Sequence, residues 1–186
     1  MIEVVVIWME RGFDRQAHPV IMAPIGKNGT MTPAIAMLER EGVGFEIHEY
    51  ERGDELRDFG REAAEALGLP EDQVFKTLLL SIDGERDPVV VVVPVSCQVS
   101  LKRAAAAFDA KKAALCDTTV AERITGYVVG GISPLGQRRL LRTVLDESVE
   151  LFDVIFVSGG RRGLDIGVDP SELRRLLDAT VAPITA

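Results

Sequence analysis

Few residues of this chain have the means to do chemistry, and most of them stand near glycine. Lys76 lies inside residues 73–80, an otherwise largely apolar run. A lysine whose stem rests on apolar surface offers a directed point charge to a phosphate or carboxylate, or an amine of lowered pKa. The same placement would serve an edge-strand lysine that blunts aggregation. Asp165 follows a glycine turn and is flanked by Leu164 and Ile166. Such a carboxylate can orient a ligand hydroxyl or amine, pair with Lys76, or simply close the turn. Ser158 ends an apolar run just before Gly159 and Gly160. A serine nucleophile needs a base, and the two histidines, His18 and His48, are poor candidates. His48 stands beside Glu49, and His18 falls in an irregular stretch. Two histidines and two cysteines, Cys97 and Cys116, show no metal-ligand spacing. With no protein nucleophile, metal set or cofactor loop in view, any catalysis is expected to be positional, backbone-based or supplied by the substrate.

The densest punctuation is Gly126 to Gly136, with four glycines and Pro134 in eleven residues. Glycine lets a backbone turn sharply and approach a ligand closely. Consecutive free N–H groups in such a loop can cup an anion or a carbonyl oxygen. Pro134 biases Ser133 towards extended geometry, which stiffens the loop. A plain strand connection explains the same glycines. Neither a Gly-Lys-Ser/Thr ending nor G-x-G-x-x-G spacing is present, so the Walker and dinucleotide readings fail.

These residues must be held by a chain of 186 residues, long enough for one domain with a sizeable core. Aromatics are only 5%, so the core is expected to be Val, Leu, Ile and Ala. No apolar run approaches the roughly 20 residues of a membrane helix. Two cysteines make no disulfide framework, which points to a reducing, cytoplasmic setting and to small buried thiols. The net charge of −8 argues against a general nucleic-acid coat protein and DNA binding. A local basic patch stays open, with Lys102, Arg103, Lys111, Lys112, Arg138, Arg139, Arg142, Arg161 and Arg162 as candidates.

Residues 1–30 read as an irregular N-terminal extension, or as upstream sequence with the true start at Met22 or Met31. An added edge strand at 4–8 is the competing reading. From Thr32, an N-cap followed by Pro33, a helix runs to Gly42. Residues 45–50 alternate as a strand. A helix over 61–67 ends at Gly68. Strands follow at 73–82 and 88–95, joined by the hairpin signal Asp83-Gly84. The β-branched run 88–95 reads as a central strand. Next come a helix at 101–108, a short strand at 111–116 and a helix at 118–124. Strands at 143–146, 154–157 and 164–168 follow, with 158–163 as a second glycine-rich turn. A last helix covers 172–179. The class is α/β with α+β character: a mixed, largely antiparallel sheet with helices around it, not a doubly wound parallel fold.

Thr32-Pro33-Ala34, Phe75-Lys76-Thr77-Leu78, the loop from Gly126-Tyr127 through Gly130-Gly131-Ile132-Ser133-Pro134-Leu135-Gly136-Gln137, and Ser158-Gly159-Gly160 with Arg162-Gly163-Leu164-Asp165-Ile166 resemble the YbaK/EbsC family. These are free-standing relatives of the editing domain inserted in bacterial prolyl-tRNA synthetase, and the likeness is closest to the Cys-tRNA(Pro) deacylase branch. It runs over about 31–177, so 31–186 is taken as the editing domain, with a partial-barrel fold. The resemblance implies hydrolysis of cysteine from mischarged tRNA(Pro), and more broadly Cys-tRNA(Cys), with prolyl-tRNA synthetase as partner and no cofactor. It implies that Lys76 holds the acceptor end and that Gly130, Gly131 and Ile132, with Ser133 and Pro134, surround the ester. It places Tyr50, Phe59, Thr77, Ser158 and Asp165 at pocket positions. In that branch the substrate thiol attacks its own ester and leaves as a cyclic thioester, a lyase-like outcome. The alternatives are a deacylase for alanyl or seryl esters, and a non-catalytic tRNA- or synthetase-binding adaptor.

Overall fold

The computed structural model describes residues 3–7, 31–51 and 58–186, the first of these as backbone. A nine-stranded mixed sheet curls into a half-barrel, with strands in the order β1-β2-β8-β7-β3-β4-β6-β9 and β5 beside β3. The strands are β1 Glu3–Ile7, β2 Phe45–Glu49, β3 Val74–Ile82, β4 Val89–Pro94, β5 Ala113–Leu115, β6 Thr143–Asp146, β7 Ile155–Arg161, β8 Leu164–Val168 and β9 Thr180–Ala182. Among the described residues five helices accompany them: α1 Pro33–Glu41, α2 Phe59–Leu67, α3 Leu101–Ala107, α4 Thr118–Thr125 and α5 Pro170–Leu177. Antiparallel pairs outnumber the three parallel ones, β3 with β7, β4 with β6, and β6 with β9. The mixed, largely antiparallel sheet is as expected.

Local chemistry explains the helix ends. Thr32 accepts from the Ile35 N–H at 3.2 Å, Pro33 opens α1, and Gly42 closes it at φ 66°. Asp58 caps α2, which therefore starts at Phe59 rather than 61. Asp169 caps α5 at Pro170, two residues before the expected start. The β-branched run makes β4 buried at every position, flanked by β3 and β6, as its composition predicts. The core is aliphatic, in three clusters on the two sides of the sheet.

The sequence expectation differs from the structure elsewhere too. Glu3–Ile7 pairs antiparallel with β2, close to the edge-strand reading at 4–8. Residues 1–2 and 8–30 of the stretch read as irregular lie outside the described residues, as do 52–57. The glycine-rich segment expected to turn from 158 instead continues β7 to Arg161, with a bulge between Ser158 and Arg161. Bulges absorb glycines inside a strand without ending it. Strand β9 and the 3-10 turn Glu147–Leu151 were not foreseen. Both depend on Asp146, whose buried carboxylate accepts from the Ser148, Ile184 and Thr185 N–H groups.

Candidate active site

The site is built on an interruption in the sheet. β3 pairs with β4 along one edge over Phe75–Leu80. On its other edge β7 pairs only at Val74 and Phe75, and β5 only from Leu80. A cavity of about 420 Å³ opens at the stretch between. Its walls are residues of β3, the start of α2, β5 with Cys116, the glycine loop, and the ends of β7 and β8. Tyr50, Phe59, Lys76, Thr77, Gly130, Ile132, Ser158 and Asp165 all line it.

Lys76 is partly buried, and its Nζ donates to the Val95 carbonyl at 3.3 Å. Among the described residues no carboxylate pairs with it. The ammonium is anchored by its stem and left available to an anion. Asp165 does not pair with it. Asp165 is 6% exposed and accepts from the Tyr50 hydroxyl at 2.8 Å. Burial pushes its pKa from 3.8 up to about 6, against the Tyr50 hydrogen bond and nearby His48, which lower it. A carboxyl in that range can exchange a proton near neutral pH.

Ser158 stands opposite Asp165 across the β7–β8 pair, and its Oγ accepts from the Gly160 N–H at 3.3 Å. His48 does not line the cavity; its Nε2 lies 3.0 Å from Glu46, and its ring meets Phe156 edge-on. His18 is outside the described residues. No serine–histidine pair is therefore assembled among the described residues. Burial pushes the thiol of Cys116 up, away from the reactive thiolate. Among the described residues, no group of three or more His, Cys, Asp or Glu could hold a metal.

The glycine loop divides into two parts. Gly130, at φ 83°, and Ile132 line the cavity, and neither N–H has a partner among the described residues. Gly131 is different: its N–H donates to the Val128 carbonyl at 2.9 Å, and it does not line the cavity. Its expected place around the ester is corrected accordingly: its N–H is spent within the loop. A Cβ on Gly131 would lie 2.9 Å from the backbone of Arg161 and Arg162, so this glycine lets the two glycine-rich segments touch. Ser133 and Pro134 are also buried away from the cavity. The Ser133 Oγ accepts from the Leu135 N–H at 3.2 Å and so shapes the loop instead of meeting a substrate.

Phe59 lines the cavity from the start of α2. Arg162 stacks over its ring at 5.3 Å, while its Nε donates to the Val129 carbonyl at 2.8 Å. A Cβ on Gly130 would meet the same ring at 2.6 Å. Arg162 thus ties α2, the glycine loop and the β7–β8 hairpin together. Arg161, another of the basic candidates, lines the cavity and pairs with Glu49 at 3.0 Å. Arg139 pairs with Asp87 and Arg142 with Glu85, so those two charges are already met by acids.

Thr77 Oγ1 is buried without a hydrogen-bond partner, alone in this among the described residues. Such a group costs about 1–3 kcal/mol until something fills its place. Gly60 and Cys116 also line the cavity, and neither is among the expected site residues. A glycine in the first turn of a helix, where it costs about 1 kcal/mol, was the signal available for Gly60. A Cβ there would meet Val95 at 2.4 Å.

The break in pairing beside β3 thus leaves a cavity lined by a lysine, a buried acid and part of a glycine-rich loop. The aminoacyl-tRNA editing domain model matches residues 55–176, more than half of the chain, and the chain belongs to that family. Its enzymes are deacylases, which hydrolyse the ester joining an amino acid to tRNA. The chain is 31% identical over 159 residues to EbsC of Enterococcus faecalis, provisionally named a Cys-tRNA(Pro)/Cys-tRNA(Cys) deacylase. That alignment covers 86% of this chain and 96% of EbsC. A scaffold protein from computational epitope grafting is similar in structure, with TM-score 0.72, 25% identity, and 83% and 95% of the two chains covered. A structure provisionally described as a trans-editing enzyme for prolyl-tRNA synthetase gives TM-score 0.70, 22% identity and the same coverage. At that identity the likeness shows the fold. Among the described residues no helix is long and apolar enough to cross a membrane.

Proposed function

We propose that the protein clears cysteine from mischarged tRNA(Pro), and that the substrate's own thiol is the nucleophile. The observation that carries this reading is the absence, among the described cavity residues, of a nucleophile with its base. Ser158 is held by Gly160, the Cys116 thiol is suppressed, and no histidine reaches in. A cysteinyl ester brings what is lacking. Its sulfur attacks the ester carbonyl, the carbon–sulfur bond forms as the bond to the ribose oxygen breaks, and the thiol proton passes to that oxygen. The cyclic thioester then opens in water. Intramolecular attack needs orientation above all. One well-placed oxyanion donor is worth roughly 10²–10³ in rate. The N–H groups of Gly130 and Ile132 are the donors on hand. Lys76 holds the acceptor end by charge and takes no part in bond making.

Editing is needed because cysteine and proline are close in size, and a synthetase pocket rejects such a pair poorly. Prolyl-tRNA synthetase is the partner proposed, since a chain of net charge −8 should bind tRNA weakly by itself. The similarity to EbsC supports the cysteinyl substrate. A second reading rests on Asp165: a buried carboxyl near pKa 6 can act as base for a bound water. Alanyl or seryl esters would then be cleaved.

Single-turnover deacylation of Cys-, Ala-, Ser- and Pro-tRNA(Pro) at one enzyme concentration separates the two. Loss of the cysteinyl ester alone supports the thiol route. Cleavage of the alanyl ester sinks it and points to water activated by Asp165. If no ester is lost, an adaptor role takes the place of catalysis.

A further inference from the structure

A second cavity, of about 510 Å³, lies across α4 from the first. Its lining comes from the β3–β4 turn, one face of α4, and Arg139 beyond the glycine loop. Helix α4 divides the two spaces. Thr118 and Ala121, three residues apart, face the first cavity, while Val120, Arg123 and Ile124 face the second. Cys116 lines both. The two sites are therefore about one helix diameter apart, roughly 10 Å.

The charges around the second cavity are unequal. Arg86, Arg123 and Arg139 line it. Arg142 joins them by pairing with Glu85, and Arg138 by donating to the Arg123 carbonyl at 3.2 Å. The lining acids are Glu85 and Asp87, and both are taken, Glu85 by Arg142 and Asp87 by Arg139 at 2.7 Å. Asp83, in the same turn, accepts from the Lys111 and Lys112 N–H groups. Arg86 and Arg123 are exposed, and among the described residues no acid pairs with either guanidinium. In a chain of net charge −8, this excess of positive charge runs against the whole. A guanidinium without an acid presents a planar fork of donors that matches two oxygens of a phosphate. Two such forks, one on the turn and one on α4, suit successive phosphates of a strand better than one compact anion.

We propose that this cavity takes the phosphodiester backbone of the tRNA strand whose ester enters the first cavity. Arg86 and Arg123 make the phosphate contacts, and the Arg139–Asp87 and Arg142–Glu85 pairs hold the walls. The strand crosses α4 near Cys116, a span of about 10 Å that a few nucleotides cover at roughly 3.4 Å of rise each. Such contacts fix register and attract the strand without reading its bases. The assignment rests on the tRNA-ester reading for the identity of the strand.

The experiment measures binding of uncharged tRNA(Pro) to the full chain by fluorescence anisotropy over a range of salt, so no ester chemistry enters. The parent is compared with the double variant Arg86→Gln, Arg123→Gln. The control is Arg40→Gln, Arg174→Gln, which removes the same charge from α1 and α5, where neither residue lines a cavity. The first variant is expected to bind roughly tenfold more weakly at low salt, with the slope of log affinity against log salt shallower by about 1.5, or about 0.7–0.9 per lost phosphate contact. The control is expected to lose about twofold or less, the effect of screened charge at a distance. Equal losses in the two variants, an unchanged slope, or no tRNA binding by the parent at low salt overturns the assignment. So does loss of prolyl-tRNA synthetase binding with tRNA affinity kept, which would make the patch a protein interface. If Cys-tRNA(Pro) is cleaved but the Arg86 and Arg123 variant binds tRNA like the parent, the phosphate site falls and the deacylase stands. If no ester is cleaved and the slope still changes, the cysteinyl reading falls and the phosphate site stands.

Discussion

The Tyr50 hydroxyl donates to Asp165 at 2.8 Å, joining the end of β2 to the start of the adjacent β8 and holding the one strongly shifted carboxyl described in the cavity. Burial outweighs that hydrogen bond, so Asp165 keeps its proton up to about pH 6 in the folded state and to about 3.8 in the unfolded one. A carboxyl raised in this way binds its proton more tightly when folded. Its stabilising contribution is full below about 3.8 and is lost as pH rises through about 6. Relative to Asp165→Asn, the parent is expected to lose roughly 2 kcal/mol between pH 4 and pH 7. Urea unfolding of both proteins at several pH values checks this. A flat difference would show that the carboxyl is not shifted. Tyr50→Phe removes a lowering influence and should move the Asp165 titration above 6, read from its carboxyl carbon by NMR.

Lys76→Ala should abolish deacylation, by about 10²-fold or more, with the fold intact. The single contact of Nζ, to the Val95 carbonyl at 3.3 Å, is worth only about 1.5–3 kcal/mol. Single-turnover rates and a thermal melt of the same preparation decide the matter. Activity near that of the parent in a folded variant would remove Lys76 from the site.

Gly136 and Gly68 make a matched pair. Both hold left-handed backbone, at φ 63° and 66°. A Cβ on Gly68 meets nothing within 4 Å, whereas one on Gly136 meets the Pro33 carbonyl at 2.3 Å. Gly68→Ala should cost about 1 kcal/mol, the backbone penalty alone. Gly136→Ala should cost a further 1–3 kcal/mol, roughly, because backbone cannot step aside. Equal losses by urea unfolding would show that the loop does not press on α1.

Arg162→Ala should lower the deacylation rate roughly tenfold while costing stability about 1 kcal/mol, since it frees Phe59 and the Val129 carbonyl without opening the core. A rate unchanged from the parent would show that the ring needs no clasp.

Asp146→Asn should be among the costliest polar changes outside the cavity. Its carboxylate accepts from the Ile184, Thr185 and Ser148 N–H groups, and an amide can satisfy only part of that set. A loss of about 2–3 kcal/mol is expected, with the C-terminal strand released first in amide exchange. Uniform exchange across the sheet would contradict the role.

Much of this protein is written in local pattern. The Thr32-Pro33 start, the Gly42 stop, the β-branched strand β4 and the alternation of β2 follow from capping chemistry, φ preference and side-chain period, which need only neighbours in the chain. Lys76 was conspicuous for the same reason, as a charge inside an apolar strand. The two glycine-rich segments were conspicuous too, but their purpose was not legible. Gly131 and Ser133 serve contacts with Arg161, Arg162 and Leu135, which lie in other turns of the chain or inside the loop itself. Only the fold decides which glycine faces a ligand and which faces another backbone. The open stretch of β3 is the clearest case. No residue type marks it, because it exists only where the ladders of β7 and β5 both end short of Thr77. Strand register is set by long-range pairing, so the sequence alone determined the pieces and their caps, while the tertiary structure decided where the sheet breaks and what can enter.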